Sequence, residues 1–261
     1  MNSMRNRLLN RTIRRDECDD ERVYKFLKLL KQDGRSEYRR NCHEIYDHDW
    51  IKVVQKSKRS SASSIFSKRT YAVYKCAIDS ERMIAVLVRF YNLLLRNEYY
   101  PKRWLDILDV MIGKGKGMVL GKLRIITLIE ADLQYVMRIF LGEEVEEMIE
   151  NDSRFSTANY GSRKNYSIES ALLEKRLIFD NSMLSGKMTI YTITDLQSCY
   201  DRQLAEIGGI LEESVGRDRA AMKIISKVIP NWKHYICTGF GISKFYYGRE
   251  NDRLAGTGQG N

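Results

Sequence analysis

No uninterrupted apolar run among the 261 residues approaches the roughly 18–20 needed to cross a bilayer. The best stretch, Ile84 to Leu95, is broken by Arg89 and Asn92. The opening MNSMRNRLLNRTIRR has basic side chains but no apolar block and no small-residue cleavage site, so a secretory leader is not expected. Cysteine is scarce and scattered: Cys18, Cys42, Cys76, Cys199 and Cys237 are odd in number and form no CxxC pair. That excludes a disulfide framework or zinc ribbon and points to a reducing, intracellular setting, nucleus or cytoplasm. Of three histidines, His43 and His48 lie near Cys42, but a zinc site needs more ligands at better spacing, and surface histidines are the simpler account. Proline occurs twice, at Pro101 and Pro230, each where a helical pattern ends.

Basic charge, by contrast, is abundant. Lys and Arg number 44 against 34 Asp and Glu, a formal surplus of ten. Residues 1–75 hold 19 basic and 10 acidic side chains, whereas 76–261 hold 25 and 24. A basic front on a nearly neutral body suits a polyanion, nucleic acid before membrane, although a solvated basic face has the same composition. With 43% apolar and 30% charged residues, the chain has the makings of a folded core.

Periodicity predicts a helix over Val23 to Lys31 and a short one over Asp47 to Val54. The Ser-rich, basic stretch Lys56 to Arg69 reads as a linker. We therefore divide the sequence into a basic N-terminal extension, 1–75, and a main region, 76–261. Asp79 or Ser80 can cap a helix with Met83, Ile84, Leu87, Phe90, Tyr91 and Leu94 along one side. Ile107 to Ile112 and Leu123 to Ile129 are of strand length, joined by the Gly- and Lys-rich GKGKGMVLGK. Helices are expected over Glu130 to Ile149, Ile168 to Phe179, 202–214 and 217–229. A strand is expected over Met188 to Thr194, and a hairpin over His234 to Tyr247. The fold class is α+β, a mixed arrangement of helices and strands.

Three segments carry chemistry. In TITDLQSCYDR, residues 192–202, a strand delivers Asp195 at its end, where a carboxylate suits a hard cation such as magnesium. Read alone, the simpler account is an Asp that caps the next turn, with Tyr200 in the core. In KGKGMVLGKLRIITL, Lys114, Lys116, Lys122 and Arg124 surround a flexible connection, and Lys122 and Arg124 face the same way on a strand. Two cations on one face suit a triphosphate, or simply a solvated hairpin. In GTGQG, residues 256–260, three glycines permit close backbone approach and Gln259 brings a donor and an acceptor. Neither GxGxxG after a strand nor GK[ST] is present.

In this order the segments resemble the reverse transcriptase family, above all its non-LTR retrotransposon and group II intron branch. FYNLLLRNEYYPKRW (Phe90 to Trp104) resembles the lead-in helix, GKLRIITLIEAD the fingers motif, and NYGSRKNYS (Asn159 to Ser167) the next block. TDLQSCYD resembles the first palm motif, and GTGQG the block before the metal-binding hairpin. The resemblance covers about 79–261 and implies a right-hand polymerase: the fingers and an incomplete palm of an RNA-directed DNA polymerase, a magnesium- or manganese-dependent nucleotidyltransferase of a retroelement. It implies Asp195 as the catalytic, metal-binding carboxylate and the Leu196 carbonyl as a further ligand. Lys122 and Arg124 would hold the nucleotide triphosphate, Tyr200 would gate its sugar, and Gly258, Gln259 and Gly260 would line its pocket. Lys114, Lys116, Arg163 and Lys164 would meet template or primer. The implied partners are an RNA template, a DNA or RNA primer and a deoxynucleoside triphosphate.

Several positions depart from the family pattern. Ile125 and Gly258 stand where many members have proline. The palm hairpin with two further aspartates has no counterpart in the 261 residues, so the sequence reads as a truncated enzyme, inactive alone. Two other readings compete. One is a non-catalytic, basic nucleic-acid-binding module with a degenerate palm. The other is an RNA-dependent RNA polymerase, which would use Asp201 beside Asp195; Tyr200 and the QG block speak against it.

Overall fold

A computed structural model describes residues 44–113, 123–142, 158–161, 163, 165–190, 192–194, 205–214 and 217–248. The chain forms two compact units, one of residues 1–145 with 198–261 and one of residues 146–197. The class is mixed α and β, as expected.

The larger unit is built on aromatic helix packing. Helix α1 (Asp47–Lys56) buries Trp50 and Val54, and α2 (Tyr71–Ala77) buries Tyr71 and Tyr74. Helix α3 (Glu81–Arg96) buries Ile84, Val88, Tyr91, Leu94 and Leu95. Met83 and Phe90, expected on that stripe, are exposed; the buried face is turned toward Val88 because Tyr91 must stack on Trp50, ring centroids 4.7 Å apart. Two residues after α3, Glu98 adopts φ +48°, and Tyr99 N–H closes the helix by donating to the Leu94 carbonyl at 3.0 Å. After the 3-10 turn Lys102–Leu105 the chain enters the sheet.

Strand β1 (Asp106–Gly113) lies at the centre, antiparallel to β2 (Leu123–Leu128) from Leu108↔Leu128 to Gly113↔Leu123. Helix α4 (Ala131–Leu141) follows β2 and buries Leu133, Tyr135, Val136 and Phe140 against the aromatic core. It stops at Gly142, where a Cβ would stand 2.1 Å from the Arg138 carbonyl oxygen; the remainder of the helix expected to Ile149 lies outside the described residues. Helices α5 (Ala205–Ser214) and α6 (Arg219–Val228) come next in this unit. Asp218 caps α6 by accepting from Ala221 N–H at 2.8 Å. The chain re-enters the sheet as β3 (Lys233–Thr238), parallel to β1, followed by β4 (Gly241–Ile242) and β5 (Tyr247–Gly248), both antiparallel to β3. The expected hairpins at 107–129 and 234–247 are therefore present, and the β1–β3 pairing joins them in one five-stranded sheet.

Residues 57–70 have no regular secondary structure, as a linker would, yet they are bound to the sheet. Ser64 N–H donates to the Ile129 carbonyl and the Ser64 hydroxyl to the Asp106 carbonyl, both at 2.9 Å. Phe66 packs on Tyr235 at 4.5 Å between centroids. Ile45, Trp50, Val54, Tyr71 and Tyr74 share one core with Tyr91, Trp104 and Trp232. Residue 75 thus marks a change in charge rather than a break between cores.

In the smaller unit, helix α7 (Ile168–Ser185) is capped by the Ser167 hydroxyl, which accepts from Ser170 N–H, and ends at Gly186 with φ +60°. It runs six residues beyond the expected Phe179. The strand expected over Met188 to Thr194 is corrected: residues 188–190 and 192–194 belong to no strand. Met188, Ile190 and Ile193 are 91%, 81% and 87% exposed. A β-branched alternating sequence favours extended backbone, but only a neighbouring ladder satisfies its N–H and C=O groups and makes it a strand.

Candidate functional site

Two side-chain constellations in the larger unit and one in the smaller bear on function. The most deeply buried is centred on Asp132, the second residue of α4, which is fully buried. Arg103 grips it with both guanidinium nitrogens, Nη1 to Oδ1 at 2.7 Å and Nη2 to Oδ2. Trp104 Nε1–H donates to Oδ1 at 3.1 Å and Tyr91 O–H to Oδ2 at 2.8 Å. Burial pushes the phenols of Tyr91 and Tyr74 upward, so both are neutral donors at neutral pH. The guanidinium and two ring donors leave Asp132 fully satisfied, and the cluster holds α3, the 3-10 turn and α4 together. Replacing Asp132 by Ala should cost about 3–5 kcal/mol, because it strands a largely buried guanidinium and two buried donors. Urea unfolding checks this; a midpoint change worth less than about 1 kcal/mol would mean that the network relaxes without its acceptor.

Glu130, immediately before α4, is also fully buried but poorly served. Its Oε2 accepts from the Ser67 hydroxyl and, at 3.4 Å, from Arg103 Nη1; among the described residues Oε1 has no partner. Burial above all raises its pKa. A carboxyl with a folded-state pKa above its unfolded value stabilises the fold fully below the unfolded pKa of about 4.3 and loses that contribution as pH rises through the folded value. Glu130→Gln keeps the acceptor and removes the titration. Its stability relative to the parent should therefore increase from acid toward neutral pH, read by urea midpoints across that range. An unchanged difference would show that Glu130 titrates normally.

The second constellation lies on one face of the sheet. Asp109 on β1 is directly opposite Thr127 on β2 and Ile236 on β3, and His234 sits two residues before Ile236 on the same face. Thr127 O–H donates to Asp109 Oδ1 at 2.9 Å, and His234 Nδ1 meets Oδ2 at 2.8 Å. The side chains of His234 and Asp109 are 20% and 11% exposed. The carboxylate orients the imidazole through Nδ1. Sequence reading missed this group. The available signal was the charge of Asp109 inside the apolar run ILDVMI, which had to find a partner once buried.

Of the residues expected to form the site, Arg124 and Arg163 are described. Arg124 is exposed on β2 opposite Ile112, on the sheet face away from Asp109. Arg163 belongs to the smaller unit, where its guanidinium lies 3.9 Å from the centroid of Tyr166. Lys114, Lys116, Lys122, Lys164, Asp195, Leu196, Tyr200, Gly258, Gln259 and Gly260 lie outside the described residues. Among the described residues no cluster of three His, Cys, Asp or Glu side chains could hold a metal, and no helix is long and apolar enough to cross a membrane. No family model matches the chain, and no curated protein does.

Proposed function

We propose that the chain carries the fingers and part of the palm of an RNA-directed DNA polymerase, a reverse transcriptase that adds deoxynucleotides to a primer by two-metal phosphoryl transfer. The observation that carries this reading is the succession of five motif-like segments, from Phe90 to Gly260, in the family's order. The β1–β2 hairpin supports it. Its strands remain paired to Gly113↔Leu123, so residues 114–122, with Lys114, Lys116 and Lys122, join the ends of a paired ladder. In this reading Lys122 and Arg124 would neutralise the triphosphate, and Asp195 with the Leu196 carbonyl would hold magnesium or manganese. Tyr200 stands beneath the nucleotide sugar, and Gly258 to Gly260 line the pocket.

A second reading has one observation in its favour. Residues 188–190 and 192–194, which lead into Asp195, belong to no strand. Catalysis needs a carboxylate held rigidly in place, and without such a support the chain would serve as a basic nucleic-acid-binding module. The deciding experiment joins the 261 residues to the palm hairpin and thumb of a retroelement polymerase and measures magnesium-dependent extension of a primed RNA template. RNA-templated incorporation supports the enzyme. Nucleic-acid binding without incorporation supports the module.

A further inference from the structure

We propose that Tyr166, with Arg163 over its ring and Tyr160 beside it in the loop before α7, is a stacking platform for an unpaired nucleobase. The inference rests on the nucleic-acid reading above and adds base contact where that reading needs only phosphate contact.

Three planar groups of this loop are held in place. The Arg163 guanidinium lies over the Tyr166 ring, Cζ 3.9 Å from the centroid, while Nη1 donates to the Asn159 carbonyl at 2.7 Å. Tyr160 meets Tyr166 at 74° with centroids 5.5 Å apart, and its hydroxyl donates to Glu174 on α7. The backbone is shaped to bring them together. Gly161 N–H donates to Asn159 Oδ1 at 3.1 Å, Tyr166 N–H donates to the Arg163 carbonyl at 3.3 Å, and Asn165 takes φ +67°, a left-handed conformation that Asn tolerates better than most residues.

An exposed loop gains little stability from ordering a long Arg side chain on a ring, since fixing it costs rotamer freedom. The arrangement nevertheless leaves Tyr166 37% exposed. A fixed, partly open, cationic and planar surface has a chemical counterpart in nucleobases, which stack on aromatic rings and on guanidinium planes alike. Charge agrees with this occupant. Residues 158–167 contain Arg163 and Lys164 and no acidic residue, and the neighbouring Glu174 is engaged by Tyr160. Stacking is tolerant of sequence because every base has a π-face, which suits a polymerase that must accept any template.

The test uses the 261-residue chain and two probes of equal charge at low salt: a short thymidine oligonucleotide and an abasic deoxyribose-phosphate strand of the same length. Fluorescence anisotropy should show the thymidine strand binding about 5- to 150-fold more tightly, the range expected for one stacked base. Tyr166→Leu, which keeps apolar bulk but lacks a π-face, should reduce that preference toward unity, and Tyr166→Phe should retain it. Equal binding of both probes by the parent chain overturns the platform and leaves phosphate binding standing. A preference that survives Tyr166→Leu, or a Tyr166→Leu loss equal for both probes, also overturns it. Failure of both probes to bind overturns the nucleic-acid reading together with the platform.

Discussion

The affinity of the chain for single-stranded RNA should fall by about 10²–10⁴ between about 50 and 200 mM salt, if six to ten phosphates are neutralised. Each phosphate that meets a cation releases condensed salt ions, and for a single strand the logarithm of affinity falls by about 0.7 per contact for each tenfold rise in salt. The cations are at hand. Residues 1–75 carry a surplus of nine positive charges, and Lys58, Arg59, Lys68 and Arg69 are exposed on the segment bound to the sheet by Ser64. Arg124 is exposed on β2. Neutralising two of them, as Lys68→Ser with Arg69→Ser, should flatten the slope by about 1.4 while affecting strands of different sequence alike. A filter-binding titration reads both quantities. A flat salt dependence would remove phosphate contact as the basis of binding. A slope unchanged in the double variant would place the contacts elsewhere.

What the sequence revealed of this fold was its local patterning. The strands at 106–113 and 123–128 and the hairpin beginning at 233 follow from short β-rich runs separated by glycine, and α1, α3, α5 and α6 from apolar spacing near 3.6. Features that depend on distant partners were not legible. Ser64 and Ser67 belong to a stretch whose composition is that of a solvated linker, yet Ser67 bonds Glu130, 63 residues away. Asp132, at the start of a helix, resembles a residue chosen for the helix dipole, but it is the acceptor at the centre of a buried network. The error at 188–194 has the same origin from the opposite side. Propensity favoured a strand, but residues 188–190 and 192–194 form no ladder. Among the site residues, sequence spacing placed Arg124 on a strand correctly, and it could not reveal that the Arg163 guanidinium would lie over the Tyr166 ring.

Asp195→Ala should abolish primer extension by the chain once it is joined to a palm hairpin and thumb, and the 261 residues by themselves should extend no primer. Phosphoryl transfer leaves the protein little covalent chemistry to perform; its contribution is positioning and the stabilisation of charge on the attacking and leaving oxygens. In the proposed reading two metal ions would supply much of that, and carboxylates of the chain would have to hold them. In that reading Asp195 is the metal-binding carboxylate, and no aromatic-x-Asp-Asp sequence occurs in the 261 residues. Asp201 follows Tyr200 and lies six residues beyond Asp195, in the position an RNA polymerase would use. The variants separate these possibilities. If Asp195 carries the metals, its replacement should lower single-turnover incorporation by at least about 10³-fold, the scale on which removal of a catalytic electrostatic group is felt, and raising magnesium or manganese should not restore it. Asp201→Ala should leave incorporation within a few-fold of the parent. A severe loss on Asp201→Ala would transfer the metal role and favour the RNA-polymerase reading. Extension by the unfused 261 residues, abolished by Asp195→Ala, would show that other carboxylates of the chain complete the pair.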